Sequence, residues 1–132
     1  MDPVVHFEMA YTDRQRAADF YSKTFGWKAQ ILGPEMGNYV VMQTSETDDK
    51  GMIQKPGAIN GGLYEKPADP MGQAPSVVIA VEDIDAALRK ITANGGRTLG
   101  EPMAIPGVGT YASFIDTEGN RVSVLQPLPM QA

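Results

Sequence analysis

The feature that most constrains how this chain can fold is a strand-and-helix pattern that occurs twice, 70 residues apart. In residues 4–27, apolar and polar side chains alternate and then give way to apolar residues at helical spacing. In residues 77–96 the same order of features returns. The pairs Asp13 and Asp83, and Gly26 and Gly96, keep that one separation. Two landmarks at one offset predict a duplicated structural module.

Each copy carries the start and stop signals of a helix. An aspartate before the first turn can accept hydrogen bonds from the unpaired N–H groups there. Glycine ends a helix readily because it adopts the left-handed backbone conformation without steric cost. We therefore expect helices over residues 14–24 and 83–94. The apolar stripes that should face the core are Ala17, Phe20, Tyr21 and Phe25 in the first helix, and Ile84, Ala87, Leu88 and Ile91 in the second.

Runs of β-branched and aromatic residues, separated by glycine and proline turns, predict three strands after each helix. In the first half these strands cover residues 28–32, 39–44 and 58–64. In the second half they begin at residue 98 and continue over 110–115 and 121–126, with a turn at 105–109. The Gly61-Gly62 pair weakens the strand over 58–64. A simple bulge is the favoured interpretation, and close approach of another group is the alternative.

The expected fold class is α+β, one domain of 132 residues built from two βαβββ modules. The first module spans residues 1–65 and the second 76–126. Residues 66–75 are rich in proline, which removes backbone donors and fixes the backbone, so they are expected to be a linker. Residues 127–132 are expected to be a loose tail. The helices should cover one sheet face and leave the other free to curl around a ligand.

Composition excludes several kinds of function. The net charge is −5, and no basic cluster occurs that could neutralise nucleic-acid phosphates. Cysteine is absent, which rules out disulfides and thiolate chemistry. No apolar run is long enough to suggest a membrane span, and the first residues do not resemble a signal peptide. The expected location is the cytoplasm.

Three motifs resemble a known family. DRQRAADFYSKTFGW and VEDIDAALRKITANGG resemble the two helices of the vicinal oxygen chelate superfamily, which includes glyoxalase I, bleomycin-resistance proteins and extradiol dioxygenases. TYASFIDTEGNRVSVLQP resembles its last hairpin, in which Asp116, Glu118, Gly119 and Asn120 fit the D-x-[DE]-G-N turn. The resemblance implies two βαβββ modules that form a cup-shaped mixed sheet with outer helices. It also implies a homodimer and a ligand held in the cup.

The resemblance also implies where a metal would be bound. Metal-using members place one ligand on the first and one on the last strand of each module. Those positions correspond here to His6, to Gly61 or Gly62, to Ser76 and to Ser123. Only His6 is a metal-binding side chain, and a lone imidazole does not hold a catalytic divalent ion. We therefore expect a degenerate site with no metal and no cofactor, in which His6 would be a ligand only if a metal were present.

Strand alternation places Glu8 on the same sheet face as His6. His6 is a candidate base or hydrogen-bonding group, and Glu8 a candidate carboxylate partner; both also have simple structural interpretations. The remaining candidates are two tyrosines that could line the cup and four small polar residues that could contact a ligand. Each of them could also be an ordinary strand residue. They are Tyr39, Asn60, Ser76, Tyr111, Ser113 and Ser123.

Three classes of function remain open. The first is a metal-free protein of the bleomycin-resistance type that binds a small organic molecule, neutral or cationic, in the cup. The second is a metal-dependent lyase or dioxygenase of the same superfamily. The third is a non-catalytic module that interacts with a partner protein. The missing metal ligands favour the first, and no catalytic residue is assigned.

Overall fold

The computed structural model describes residues 1–129 of the chain. Met130, Gln131 and Ala132, the end of the predicted tail, lie outside the described residues. The described part of the chain contains two α-helices and eight strands. In chain order these are β1 (Val4–Tyr11), α1 (Arg14–Phe25), β2 (Lys28–Ile31), β3 (Val40–Gln43), β4 (Asn60–Glu65), β5 (Ser76–Ala80), α2 (Ile84–Ala93), β6 (Arg97–Ile105), β7 (Gly109–Ile115) and β8 (Arg121–Pro127).

The elements follow the order strand, helix and three strands twice. We call β1, α1, β2, β3 and β4 the first module, and β5, α2, β6, β7 and β8 the second module. The chain divides into two compact units, residues 6–75 and residues 1–5 together with the chain from Ser76 onward. The predicted fold class, α+β with two βαβββ modules, is confirmed. Neither helix of the described chain has the length and apolar character needed to cross a membrane.

The first module is a mixed sheet in the order β2-β3-β4-β1. β1 runs parallel to β4, while β3 pairs antiparallel with both β4 and β2. One face of this sheet is covered by α1, because alternate strand residues are apolar and can bury against the helix. The core on that side contains Tyr11, Ala18, Val40, Met42 and Leu63, with Phe7, Met9, Tyr21 and Trp27 packed around them.

The second module repeats this arrangement in the order β5-β8-β7-β6. β5 runs parallel to β8, and β7 pairs antiparallel with β8 and β6. The apolar face of α2 covers one side of the sheet. The core there contains Val81, Ile84, Ala112, Phe114 and Val124, with Ile79, Ala87, Leu88, Ile91 and Val122 packed around them.

Two local expectations were wrong. The Gly61-Gly62 pair is not a bulge, since β4 pairs with β1 in continuous register from His6 and Asn60 to Tyr11 and Glu65. The turn expected at 105–109 is shorter, because β6 extends to Ile105. β6 also contains an irregularity between Leu99 and Met103, where Gly100 has a φ of 67°.

The first helix also exposes more of its stripe than expected. Phe20 is 56% exposed and Phe25 is 61% exposed, so neither is a core residue. Their rings instead form a surface aromatic group with Tyr21 and Trp27, whose own rings stack with centroids 4.9 Å apart. Of the stripe residues, Ala17 and Tyr21 are the ones that pack against the core.

The duplicated helix signals are confirmed in atomic detail. The Asp13 carboxylate accepts from the Arg16 N–H at 3.0 Å, and the Asp83 carboxylate accepts from the Ala86 N–H at 3.1 Å. Gly26 caps α1 with a φ of 75°. In α2 the helix ends at Ala93 with Asn94 as its C-cap, and the glycine with positive φ is Gly95 rather than Gly96.

Removing either cap should destabilise the protein while leaving its fold intact. We expect Asp13→Ala and Asp83→Ala each to lower the free energy of unfolding by about 1 kcal/mol, because one N–H group of the first turn loses its acceptor in each variant. Urea denaturation followed by circular dichroism measures this. Asp49→Ala, in an exposed loop, is the matched control and should change stability little. Equal stability of all three variants would contradict the capping role.

Candidate functional site

The face of each sheet opposite its helix carries most of the predicted site residues. In the first module, His6 and Glu8 alternate with the core residues Phe7 and Met9, so they point away from α1. Their parallel neighbours on β4 are Asn60 and Gly62. The register that the sequence left open is therefore settled: Gly62, not Gly61, shares the face of His6 and Glu8.

Tyr39 joins His6 to Glu8. Its hydroxyl oxygen lies 2.9 Å from His6 Nε2 and donates a hydrogen bond of 3.0 Å to Glu8 Oε2. Tyr39 immediately precedes β3, more than thirty residues along the chain from both partners. Only the pairing of β3 with β4 and of β4 with β1 brings them together. Glu8 is nearly buried, at 8% exposure, so the tyrosine hydroxyl supplies a donor that a buried carboxylate needs.

The two adjacent glycines of β4 make room for side chains on opposite faces. A Cβ atom at Gly62 would collide with the hydroxyl and ring of Tyr39. A Cβ atom at Gly61 would collide with the ring of Phe7 on the helix side. The alternative interpretation of Gly61-Gly62, close approach of another group, is therefore right for both residues.

Burial favours the neutral form of the His6 imidazole. Desolvation lowers the pKa of His6 below its ordinary value of 6.5, and the neighbouring Glu8 carboxylate opposes this with a weaker effect. Within the folded protein the imidazole is consequently neutral at physiological pH. A neutral imidazole keeps one lone-pair nitrogen, which can accept a hydrogen bond or a proton.

The helix-free face of the second module carries a row of hydroxyl groups. Ser123, fully buried, lies 2.7 Å from the Tyr111 hydroxyl and 3.0 Å from Ser113 Oγ. Arg121 donates to Ser113 Oγ from Nη2 at 3.2 Å. Ser76 Oγ is buried and makes no hydrogen bond among residues 1–129. Serine and tyrosine hydroxyls both donate and accept, so the direction of the hydrogen bonds between Ser123 and its two hydroxyl partners is open.

Sequence reasoning missed Arg121, and it left open the role of Asn60. Arg121 lies two residues before Ser123 on β8, so strand alternation alone would have placed both on one face. The Asn60 side-chain oxygen accepts from the backbone N–H groups of Thr44 and Ser45, at 2.8 and 3.2 Å. It therefore fixes the end of β3, and this oxygen has a structural role.

Two other features lie apart from these side chains. A surface depression of about 310 Å³ is lined by Ala10, Tyr11, Thr12, Asp13, Arg16, Ala17 and Phe20, and it includes none of the predicted site residues. The Asp116 carboxylate has a lowered pKa, chiefly because the Asn120 side chain donates to it. It also accepts from the backbone N–H groups of Glu118 and Asn120, which stabilises the turn between β7 and β8.

Comparison with known proteins identifies the family. The model of the Glyoxalase/Bleomycin resistance protein/Dioxygenase superfamily matches residues 4–124. The chain belongs to this superfamily. A glyoxylase-like domain-containing protein of Didymella fabae is 36% identical over 118 residues, covering 86% of this chain and 84% of that protein. The match confirms the resemblance carried by the two helices and the final hairpin.

Other relatives of the superfamily are longer than this chain. The putative glyoxylase CFP32 of Mycobacterium bovis is 41% identical over 71 residues, which cover 54% of this chain and 27% of that protein. The anthracycline biosynthesis protein DnrV of Streptomyces peucetius is 29% identical over 125 residues, or 89% of this chain and 44% of that protein. In both matches the aligned part is less than half of the relative.

Solved structures of other proteins share the fold. A hypothetical protein from Bacillus halodurans superposes with a TM-score of 0.71 at 15% identity, covering 99% of this chain and 98% of that chain. Methylmalonyl-CoA epimerase of Streptomyces coelicolor, in complex with 2-nitronate-propionyl-CoA, gives a TM-score of 0.69 at 18% identity, covering 98% and 97%. At these identities the likeness establishes the fold alone.

The residues at the superfamily's metal positions do not fit a divalent ion. Gly62 offers no side chain, and the Tyr39 hydroxyl fills the space beside it. Ser123 Oγ is already engaged with two hydroxyl groups. Among residues 1–129 there is no group of three or more His, Cys, Asp or Glu side chains placed to hold a metal. Neutral hydroxyls are poor substitutes for the imidazole and carboxylate ligands that such ions need.

The lowered pKa of His6 predicts a pH dependence of stability. Between the folded-state pKa and 6.5 the unfolded chain binds more protons than the folded protein, so the free energy of unfolding falls as pH decreases through 6.5. His6→Gln removes this contribution. We expect the stability difference between wild type and His6→Gln to shift against the wild type from about pH 7.5 to about pH 5.5. Urea denaturation at both pH values measures it, and a pH-independent difference would contradict the assignment.

Proposed function

We propose that this protein binds a small organic molecule without a metal, using the helix-free face of the first module. The observation that carries the proposal is the His6–Tyr39–Glu8 hydrogen-bond network. Two ionisable side chains and a phenol converge there on one sheet face, and such convergent polar groups are typical of small-molecule sites. The network is built by long-range strand pairing rather than by a local turn.

The comparisons support small-molecule binding as the general role. The S. coelicolor epimerase that shares the fold was solved with a coenzyme A compound, and one relative is named for anthracycline biosynthesis. Both names concern small organic molecules. For this chain we propose only the general class of ligand, a small organic molecule.

The charge of the first-module face restricts which ligand charges suit it. Glu8 contributes a nearly buried carboxylate, and burial keeps His6 neutral. The net charge of the whole chain is −5. A neutral or cationic ligand suits such a face better than an anion does. The hydroxyl groups of Ser76, Tyr111, Ser113 and Ser123 are proposed as candidate ligand contacts of the second module, taken by itself. The proposed location is the cytoplasm.

A thermal-shift screen tests the proposal. Purified protein is heated with divalent metals and with a panel of metabolites and antibiotics, because a compound that binds only the folded state raises the melting temperature. We expect stabilisation by an organic compound and none by Zn²⁺, Ni²⁺ or Mn²⁺. Stabilisation by a metal alone would favour the lyase or dioxygenase alternative. A silent screen together with a defined partner protein would favour the interaction module.

Variants then locate the binding face. We expect His6→Ala and Glu8→Ala each to weaken the binding of a panel compound by roughly 1–3 kcal/mol, the cost of leaving a buried polar partner unsatisfied. Tyr21→Phe changes a tyrosine on the helix side and is the matched control. Isothermal titration calorimetry measures all three. Unchanged binding in both site variants would remove this face from the proposal.

We also propose that the protein is a homodimer, as the superfamily resemblance implies. Light scattering at micromolar concentration should then give about twice the 14.2 kDa mass of one chain. A single species of 14.2 kDa would contradict the dimer.

A further inference from the structure

The two hydrogen bonds of the Tyr39 hydroxyl determine which ring nitrogen of neutral His6 carries the hydrogen. A tyrosine hydroxyl carries one hydrogen, and an ionised carboxylate can only accept. The hydrogen of Tyr39 therefore points to Glu8 Oε2, at 3.0 Å. The tyrosine oxygen, 2.9 Å from His6 Nε2, must then accept from that nitrogen. Neutral His6 thus carries its hydrogen on Nε2 and its lone pair on Nδ1.

Packing makes this arrangement rigid. The Tyr39 hydroxyl occupies the space above Gly62, and any Cβ atom there would displace it. Gly62 pairs with Glu8 across the β1–β4 ladder. The pairing of the two strands therefore holds the space above Gly62 next to the Glu8 side chain. Glu8 is nearly buried and depends on its donors. Gly62 and Tyr39 are positioning residues: they act on the ligand through the orientation and tautomer of His6.

The nitrogen left with the lone pair is the free functional atom of His6. Within residues 1–129 the only hydrogen bond of the imidazole is the one from Nε2 to Tyr39. His6 remains partly exposed, in contrast to Glu8. Nδ1 is therefore a hydrogen-bond acceptor whose donor the described chain does not supply.

We propose that His6 Nδ1 accepts a hydrogen bond from an O–H or N–H group of the ligand, so that the site selects organic molecules bearing such a donor. This inference rests on the proposed function and names the chemical class that the first-module face recognises. Loss of a ligand hydroxyl would leave a site acceptor unpaired, and polar sites discriminate strongly against analogues of that kind.

The sole histidine of the chain makes the tautomer directly measurable. In protein labelled with ¹⁵N-histidine, two-bond ¹H–¹⁵N correlations distinguish the protonated from the lone-pair nitrogen. At about pH 8, where histidine is neutral, we expect a single Nε2–H form in the wild type. Tyr39→Phe removes the acceptor of that hydrogen and should give a mixture of tautomers. Gly62→Ala should give the same change, and Tyr21→Phe none.

The recognition step is tested with phenol and anisole, which differ in one O–H donor. Phenol should move the Nδ1 resonance upfield in a saturable manner, and anisole should leave it unchanged. An Nδ1–H form or a tautomer mixture in the wild type overturns the proposal. So does an equal response, or no response, to the two probes, or a shift of Nδ1 by one equivalent of Zn²⁺.

The two proposals fail in different ways. A panel compound that raises the melting temperature without moving the Nδ1 resonance would overturn the role of His6 while leaving small-molecule binding in place. An Nε2–H tautomer without stabilisation by any organic compound would overturn the proposed function, and with it the ligand contact to Nδ1. If Gly62→Ala fails to fold, Tyr39→Phe alone decides the tautomer.

Discussion

The side of the first-module sheet that faces away from α1 depends on one steric condition, the absence of a side chain at Gly62. The Tyr39 hydroxyl fills that space and connects His6 to Glu8. With any larger residue at position 62, the buried carboxylate and the imidazole would lose their shared partner. Burying a polar group costs free energy unless its hydrogen bonds are made. The glycine at position 62 of β4 therefore allows His6 and Glu8 of β1 to share Tyr39 as a hydrogen-bond partner.

The two modules repeat a scaffold but not a site. Each begins with a strand, caps its helix with an aspartate and covers one sheet face with that helix. The opposite faces differ: the first carries an imidazole, a carboxylate and a phenol, and the second carries serine and tyrosine hydroxyls with Arg121. Helix caps and apolar stripes are requirements of folding. The polar residues of the helix-free faces are not, so they can diverge while the fold persists.

Membership of the glyoxalase superfamily therefore specifies less about the chemistry than about the architecture. At the positions where a metal would be held, this chain has one imidazole together with a glycine and two serines. The Tyr39 hydroxyl approaches His6 and Glu8 with hydrogen-bond distances on both sides. It satisfies these groups internally, as a neutral donor and acceptor. On the proposed function, a face organised in this way would recognise a ligand through hydrogen bonds.

The sequence by itself determined the two modules, the helices after Asp13 and Asp83, and the shared face of His6 and Glu8. These follow from local rules: capping chemistry acts over one helical turn, and side chains alternate along a strand. Only the tertiary structure decided that Gly62 admits Tyr39, because this contact joins residues from three strand regions and depends on their register. No local pattern encodes that register to within one residue, and a shift by one residue would turn Gly62 to the helix side.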